Sequence, residues 1–126
     1  MKLIVVIDDS AFHRRVAGWE LSTRSGVFIP QEARDVDAIN GDDVGLLIVD
    51  RHMVAAWRQA AERLVSRLRP ECEVVEWTGG TRFDDRERWR NAAAEVCKLD
   101  SAGTLVKVVN RWIKTGTVRE TQQVTE

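Results

Sequence analysis

Five side chains in this sequence could share one piece of chemistry: Asp8, Asp9, Asp50, Thr78 and Lys98. Three carboxylates brought together repel one another, so such a site calls for a cation. Hard oxygen ligands favour Mg²⁺, Ca²⁺ or Mn²⁺, with Mg²⁺ and its retained waters first among them. A lysine ammonium is a compact positive charge suited to a phosphoryl oxygen, and a threonine hydroxyl offers a donor beside it. A carboxylate can itself attack phosphorus to give an aspartyl phosphate. The metal and the lysine would then neutralise the charge on the transferring group, which is most of what phosphoryl transfer requires.

Each of the five follows an apolar run. Leu3–Ile7 is a continuous apolar strand, covered on both faces, and leads into Asp8-Asp9. Gly45–Val49 leads into Asp50, Glu73–Trp77 into Thr78, and a short strand at Glu95–Cys97 into Lys98. A further strand is expected at Val27–Ile29, stopped by Pro30. Between these runs the period changes to that of helices. Ser10 can cap a helix with Phe12, Val16 and Trp19 as its apolar stripe. Gln31–Ile39 reads as a short helix, and Val54, Trp57, Ala61, Leu64 and Leu68 mark a longer one closed by Pro70. Arg86–Ala94 reads as a charged helix. The last helix, capped by Asp100 or Ser101, carries Leu105, Val108, Val109, Trp112 and Ile113.

Strand and helix therefore alternate five times. That pattern predicts an α/β fold with a parallel sheet and helices on both faces. In such a sheet ligands bind beyond the carboxyl ends of the strands, where the five residues fall. One domain is expected over residues 1–116, with 117–126 a polar, flexible tail.

Composition narrows the classes. The 126 residues suit a single domain, and 19 Lys and Arg against 20 Asp and Glu give a net charge of −1. A near-neutral chain makes no electrostatic case for nucleic acid or a membrane surface. No apolar run reaches the roughly 20 residues of a membrane span. The opening apolar run is too short for a signal peptide, so a cytoplasmic location is expected. Cys72 and Cys97 lack metal-type spacing and read as plain thiols.

The segment Ile4-Val5-Val6-Ile7-Asp8-Asp9-Ser10-Ala11-Phe12-His13-Arg14-Arg15 resembles the opening of bacterial response-regulator receiver domains. Leu46-Leu47-Ile48-Val49-Asp50, with Met53 beyond it, resembles their phosphoacceptor strand. Thr78-Gly79 resembles their hydroxyl residue and small neighbour, and Lys98 their lysine. The resemblance implies a flavodoxin-like, doubly wound sheet of five parallel strands in the order 2-1-3-4-5. It implies a stand-alone, chemotaxis-regulator-like receiver of a two-component system. Asp50 would take phosphate from the phosphohistidine of a histidine kinase or phosphotransfer protein. Asp8, Asp9, Asp50 and the backbone carbonyl of His52 would hold Mg²⁺, and Thr78 and Lys98 would meet the phosphoryl oxygens. The chain would catalyse no more than its own phosphorylation and dephosphorylation. It would signal to an output protein by contact, with a homodimer as one option.

The sequence departs from that family at the switch. Met53-Val54-Ala55-Ala56 lacks the usual Pro and Gly, Leu99 replaces the Pro after the lysine, and Glu95 stands where an aromatic residue is usual. A phosphorylation-independent pseudo-receiver, acting as an interaction or dimerisation module, is the alternative reading. A small metal-dependent phosphohydrolase is a third, for which the Asp-x-Asp arrangement is missing. Singly, each signal has a plainer account. Asp8-Asp9 could cap a helix and Thr78 could serve a turn. His13 reads as a surface residue and the five Trp as packing. The mixed-charge run from Arg82 to Arg88 reads as a solvated helix face.

Overall fold

The computed structural model of the chain describes residues 2–79, 87–99 and 103–120. Its strands are β1 (Leu3–Ile7), β2 (Val27–Phe28), β3 (Val44–Val49), β4 (Glu73–Thr78) and β5 (Ala92–Cys97). Its α-helices are α1 (Ala11–Glu20), α2 (Ala33–Asp37), α3 (Ala55–Arg67) and α4 (Thr104–Thr115), with a single 3₁₀ turn at Gly41–Asp43 ahead of β3. All pairings are parallel, and the strands lie in the order β2-β1-β3-β4-β5. The fold is thus the doubly wound, flavodoxin-like one expected.

Alternate residues of β1 point to opposite faces of the sheet and divide the core in two. Val5 and Ile7 join Leu47, Val49, Val36 of α2 and Ala60, Ala61 and Leu64 of α3 on one side. Ile4 and Val6 join Leu46, Ile48, Ala17 of α1 and Leu105 and Val109 of α4 on the other. Central strands buried on both faces must be apolar throughout, which is why β1 and β3 read as unbroken Val/Ile/Leu runs.

Three expectations are corrected. No helix spans Arg86–Ala94: residues 87–91 form turns and Ala92–Ala94 belong to β5. Alanine favours a helix on intrinsic propensity, but pairing with β4 decides otherwise, with Val74 level with Ala92 and Val75 with Ala94. Arg86 and the run Arg82–Arg86 lie outside the described residues. Second, α1 is capped by Ser10, whose hydroxyl accepts from the His13 N–H at 3.3 Å, but of its expected stripe only Val16 packs on the core. Phe12 is 65% and Trp19 83% exposed, and Ala17 and Leu21 are the buried residues. Third, α4 follows Gly103, which has a left-handed φ of 90°; the expected caps Asp100 and Ser101 are outside the described residues.

The tail also begins differently from expectation. Gly116 closes α4 in the left-handed conformation that glycine favours. Val118 is then buried in the α1/α4 core, its N–H donating to Glu73 Oε1 at 2.8 Å, and the Thr117 hydroxyl donates to Glu73 Oε2 at 2.8 Å. Residues 121–126 are not among those described. No described helix is long and apolar enough to cross a membrane.

Candidate functional site

Parallel strands end at one edge, so the residues that follow them are neighbours in space. Ile7 is level with Val49, and Thr78 with Cys97. One more hydrogen bond pins each pair of tips: Asp50 N–H donates to the Ile7 carbonyl at 3.0 Å, and Lys98 N–H to the Thr78 carbonyl at 3.0 Å. Since β2 and β3 flank β1 on opposite sides, the chain reverses its winding here, and this is where open α/β sheets leave a crevice.

Carboxylate oxygens of Asp8, Asp9 and Asp50 lie within 4.8 Å of one another. Asp8 is fully buried, its Oδ1 accepting from the Ser10 N–H at 2.9 Å and its Oδ2 from the Lys98 ammonium. Lys98 Nζ is also 3.3 Å from Asp50 Oδ2, and lies 5.0 Å from the centroid of the Trp77 ring. Asp9 reaches across to α3. Its Oδ2 accepts from the Val54 N–H at 2.9 Å, at a helix start whose own N-cap residue supplies no side-chain bond. Thr78 is buried at the end of β4.

Burial pushes the Asp50 carboxyl up to about 6; Lys98 pulls it down and the neighbouring Asp8 adds to the rise. A nearby cation would supply the charge that burial withholds. The donors are all oxygen, and three carboxylates against one ammonium leave −3 + 1 = −2 at the rim. Both features fit a hard divalent ion rather than a soft one.

His13, read from sequence as a surface residue, is drawn in, whereas the His52 side chain turns outward. His13 is half-buried, its ring edge-on to Trp77 with centroids 5.9 Å apart and its Nδ1 buried without a partner. Burial, and then Lys98, lower its pKa, against the smaller opposing pull of Asp8 and Asp9. The His52 side chain turns to Glu87, with Nδ1 2.8 Å from Oε2.

One buried ion cluster beside Asp50 escaped the sequence reading. Arg51, next to Asp50, is 2% exposed and its guanidinium forks onto Glu76, Nε 2.8 Å from Oε2 and Nη2 3.4 Å from Oε1. The same Nη2 is 3.2 Å from Glu95 Oε2. The backbone is held as well. Trp89 Nε1–H donates to the Asp50 carbonyl at 2.9 Å, and Arg58 Nη1 donates to the Arg51 carbonyl at 3.1 Å while its guanidinium lies 3.8 Å from the Trp89 ring centroid. A signal was present: Glu76 stands between Val75 and Trp77 in a central strand, where a charge must find a buried partner.

The neighbours in structure are consistent. The response regulator TrrA of Thermotoga maritima, in complex with Mg²⁺-BeF, matches with a TM-score of 0.67 at 19% identity, over 88% of this chain and 98% of that one. The CheY-like receiver-domain protein of Methanospirillum hungatei matches at 0.68 and 17% identity, over 90% and 94%. The BeF₃-activated DrrB receiver domain matches at 0.69 and 18% identity, over 90% and 98%. No family model matches the sequence, and no curated protein matches it significantly. The chain has the fold of response-regulator receiver domains.

Proposed function

We propose that this chain is a phospho-receiver of a two-component system, with Asp50 as its phosphoacceptor. The observation that carries the reading is the charge arrangement at the switch point of the sheet. Three carboxylates converge there within 4.8 Å, with Lys98 bridging Asp8 and Asp50. The similarity to receiver domains, one of them bound to Mg²⁺-BeF, adds support.

In this reading Asp8, Asp9, Asp50 and the His52 backbone carbonyl hold Mg²⁺, which neutralises charge on the transferring group. An Asp50 oxygen attacks the phosphorus of a phosphohistidine on a histidine kinase or phosphotransfer protein. The new O–P bond forms as the P–N bond breaks, and the imidazole leaves with the bonding pair. Lys98 holds a phosphoryl oxygen in place of part of its present contact with the carboxylates, and Thr78 donates to another. The domain turns over no substrate besides its own phosphoryl group, and it acts in the cytoplasm by contact with an output protein, a second copy of the chain included.

The test is direct. Incubation with Mg²⁺ and acetyl phosphate, read by intact mass, is expected to add one phosphoryl group. The adduct should be lost in Asp50→Asn and on chelation of the metal. Absence of any adduct overturns the reading. A second reading, a phosphorylation-independent interaction module, draws on the Arg51–Glu95 pair, because an ion-paired glutamate stands where an aromatic switch residue is usual. Partner binding that is unchanged in Asp50→Asn would favour it.

A further inference from the structure

Beyond the end of β3 come three consecutive peptide carbonyls, those of Asp50, Arg51 and His52. Side chains from other elements take the first two. Trp89 Nε1–H donates to the Asp50 carbonyl at 2.9 Å, and Arg58 Nη1 to the Arg51 carbonyl at 3.1 Å. The third, that of His52, is the one assigned to the cation above. The far end of this loop is pinned as well. The Met53 side chain is buried in the core, and the Val54 N–H donates to Asp9 Oδ2 at 2.9 Å. A ligand held between fixed neighbours keeps its orientation, and such supporting contacts set much of a metal site's affinity.

Arg58 carries most of that support. It stands in the first turn of α3, its N–H donating to the Val54 carbonyl at 2.9 Å. Its Nη1 has two hydrogens and serves two carbonyls, the second being that of Glu87 at 2.7 Å. Its Cζ lies 3.8 Å from the centroid of the Trp89 ring, so the guanidinium also braces the indole that holds the Asp50 carbonyl. One planar fork thus ties α3, the loop after Asp50 and the turns at 87–91 together, which a lysine ammonium could not do. The remaining contact, Nε to Glu62 Oε1 at 2.9 Å, reaches a solvated carboxylate on the same helix and adds little.

Resting on the phosphoacceptor reading above, we propose that Arg58 is a positioning residue of the cation site, fixing the two preceding carbonyls so that the His52 carbonyl is left to the ion. The sign of its effect is diagnostic. Arg58 is itself a cation, so acting through charge alone it would oppose a divalent ion, and its removal would tighten binding. Acting by position, its removal weakens binding.

The full chain would be titrated with MgCl₂ alone, well below its unfolding temperature, and the affinity read from amide NMR shifts. Wild type is expected to show saturable shifts at Asp9, at Asp50 and at Met53, whose N–H shares a peptide with the His52 carbonyl. Arg58→Met should bind Mg²⁺ about tenfold more weakly. Arg58→Lys keeps the charge without the planar fork and is the milder variant should Arg58→Met fail to fold; a loss of about threefold is expected there. Val109→Ala, which loosens the core on the other face of the sheet, should bind as wild type does. Equal or tighter binding in the Arg58 variants overturns the proposal, as does a comparable loss in Val109→Ala, which would make the effect one of general stability; in both cases the phosphoacceptor reading survives. A wild-type chain with no saturable response at Asp9, Asp50 and Met53 overturns both.

Discussion

Two clusters flank Asp50, and each holds one cation between two carboxylates. In the first, Lys98 joins Asp8 and Asp50; in the second, Arg51 joins Glu76 and Glu95. The difference lies in the cation and in what surrounds it. Lys98 is a point charge on a flexible stem at the strand tips, able to exchange carboxylate for phosphoryl oxygen. Arg51 is a planar fork held in the sheet by two bonds to a carboxylate that water does not reach. The first cluster is arranged for chemistry that comes and goes. The second fixes the peptide on which that chemistry takes place, and only its Glu95 end faces solvent.

The largest effect separates the two arms of the second cluster. Arg51→Met leaves Glu76 buried and unpaired, and is expected to cost about 3–5 kcal/mol in urea unfolding. Replacing both residues, Arg51→Met with Glu76→Met, should recover most of that loss, since a buried ion pair adds little beyond an apolar pair of similar volume. A double variant as unstable as the single one would show that Arg51 stabilises the fold through other contacts.

The first cluster gives the opposite sign. Burial raises the Asp50 carboxyl to about 6, so the folded chain holds its proton more tightly than the unfolded chain does. The resulting destabilisation is absent below the unfolded value near 4, grows between about 4 and 6, and is complete above that. Without divalent ions, Asp50→Asn should therefore be more stable than wild type at pH 7, by at most about 2–3 kcal/mol. The gain should vanish as the pH falls towards 4. Added Mg²⁺ should narrow the gap at pH 7 by stabilising wild type alone. A gain that persists at pH 4 would mean that carboxylate burial is not its source.

A smaller effect tests the backbone between the clusters. Trp89→Phe removes the donor to the Asp50 carbonyl and weakens the platform beneath Arg58. A loss of about 1–2 kcal/mol is expected, mostly from the buried carbonyl left without a partner.

The first cluster was legible in the sequence and the second was not, for a physical reason. Asp8, Asp9, Asp50, Thr78 and Lys98 each follow an apolar run, and parallel strands deliver such residues to one edge whatever the details of packing. Arg51 and Glu95 lie 44 residues apart, and only a side-chain ion pair joins them. Glu76 gave the one available hint, as a charge amid Val74, Val75 and Trp77. The same limit affected β5. Ala92-Ala93-Ala94 has no apolar alternation, and its strand character comes from pairing with β4 rather than from its residues. On α1, the spacing of Phe12, Val16 and Trp19 correctly announced a helix. Periodicity alone could not say which face meets the sheet, and Ala17 and Leu21 do.

The smallest effect is the most discriminating for the second cluster. Glu95→Ala removes the solvated arm and leaves the Arg51–Glu76 fork in place, so the unfolding free energy should fall by only about 0.2–1 kcal/mol. That loss should shrink further as salt is raised, because a half-exposed pair is screened while a buried one is not. The cost of Arg51→Met should hardly respond to salt. If Glu95→Ala instead proved as costly and as salt-insensitive as Arg51→Met, the two glutamates would form one rigid clamp. Glu95 would then be no easier to release than Glu76.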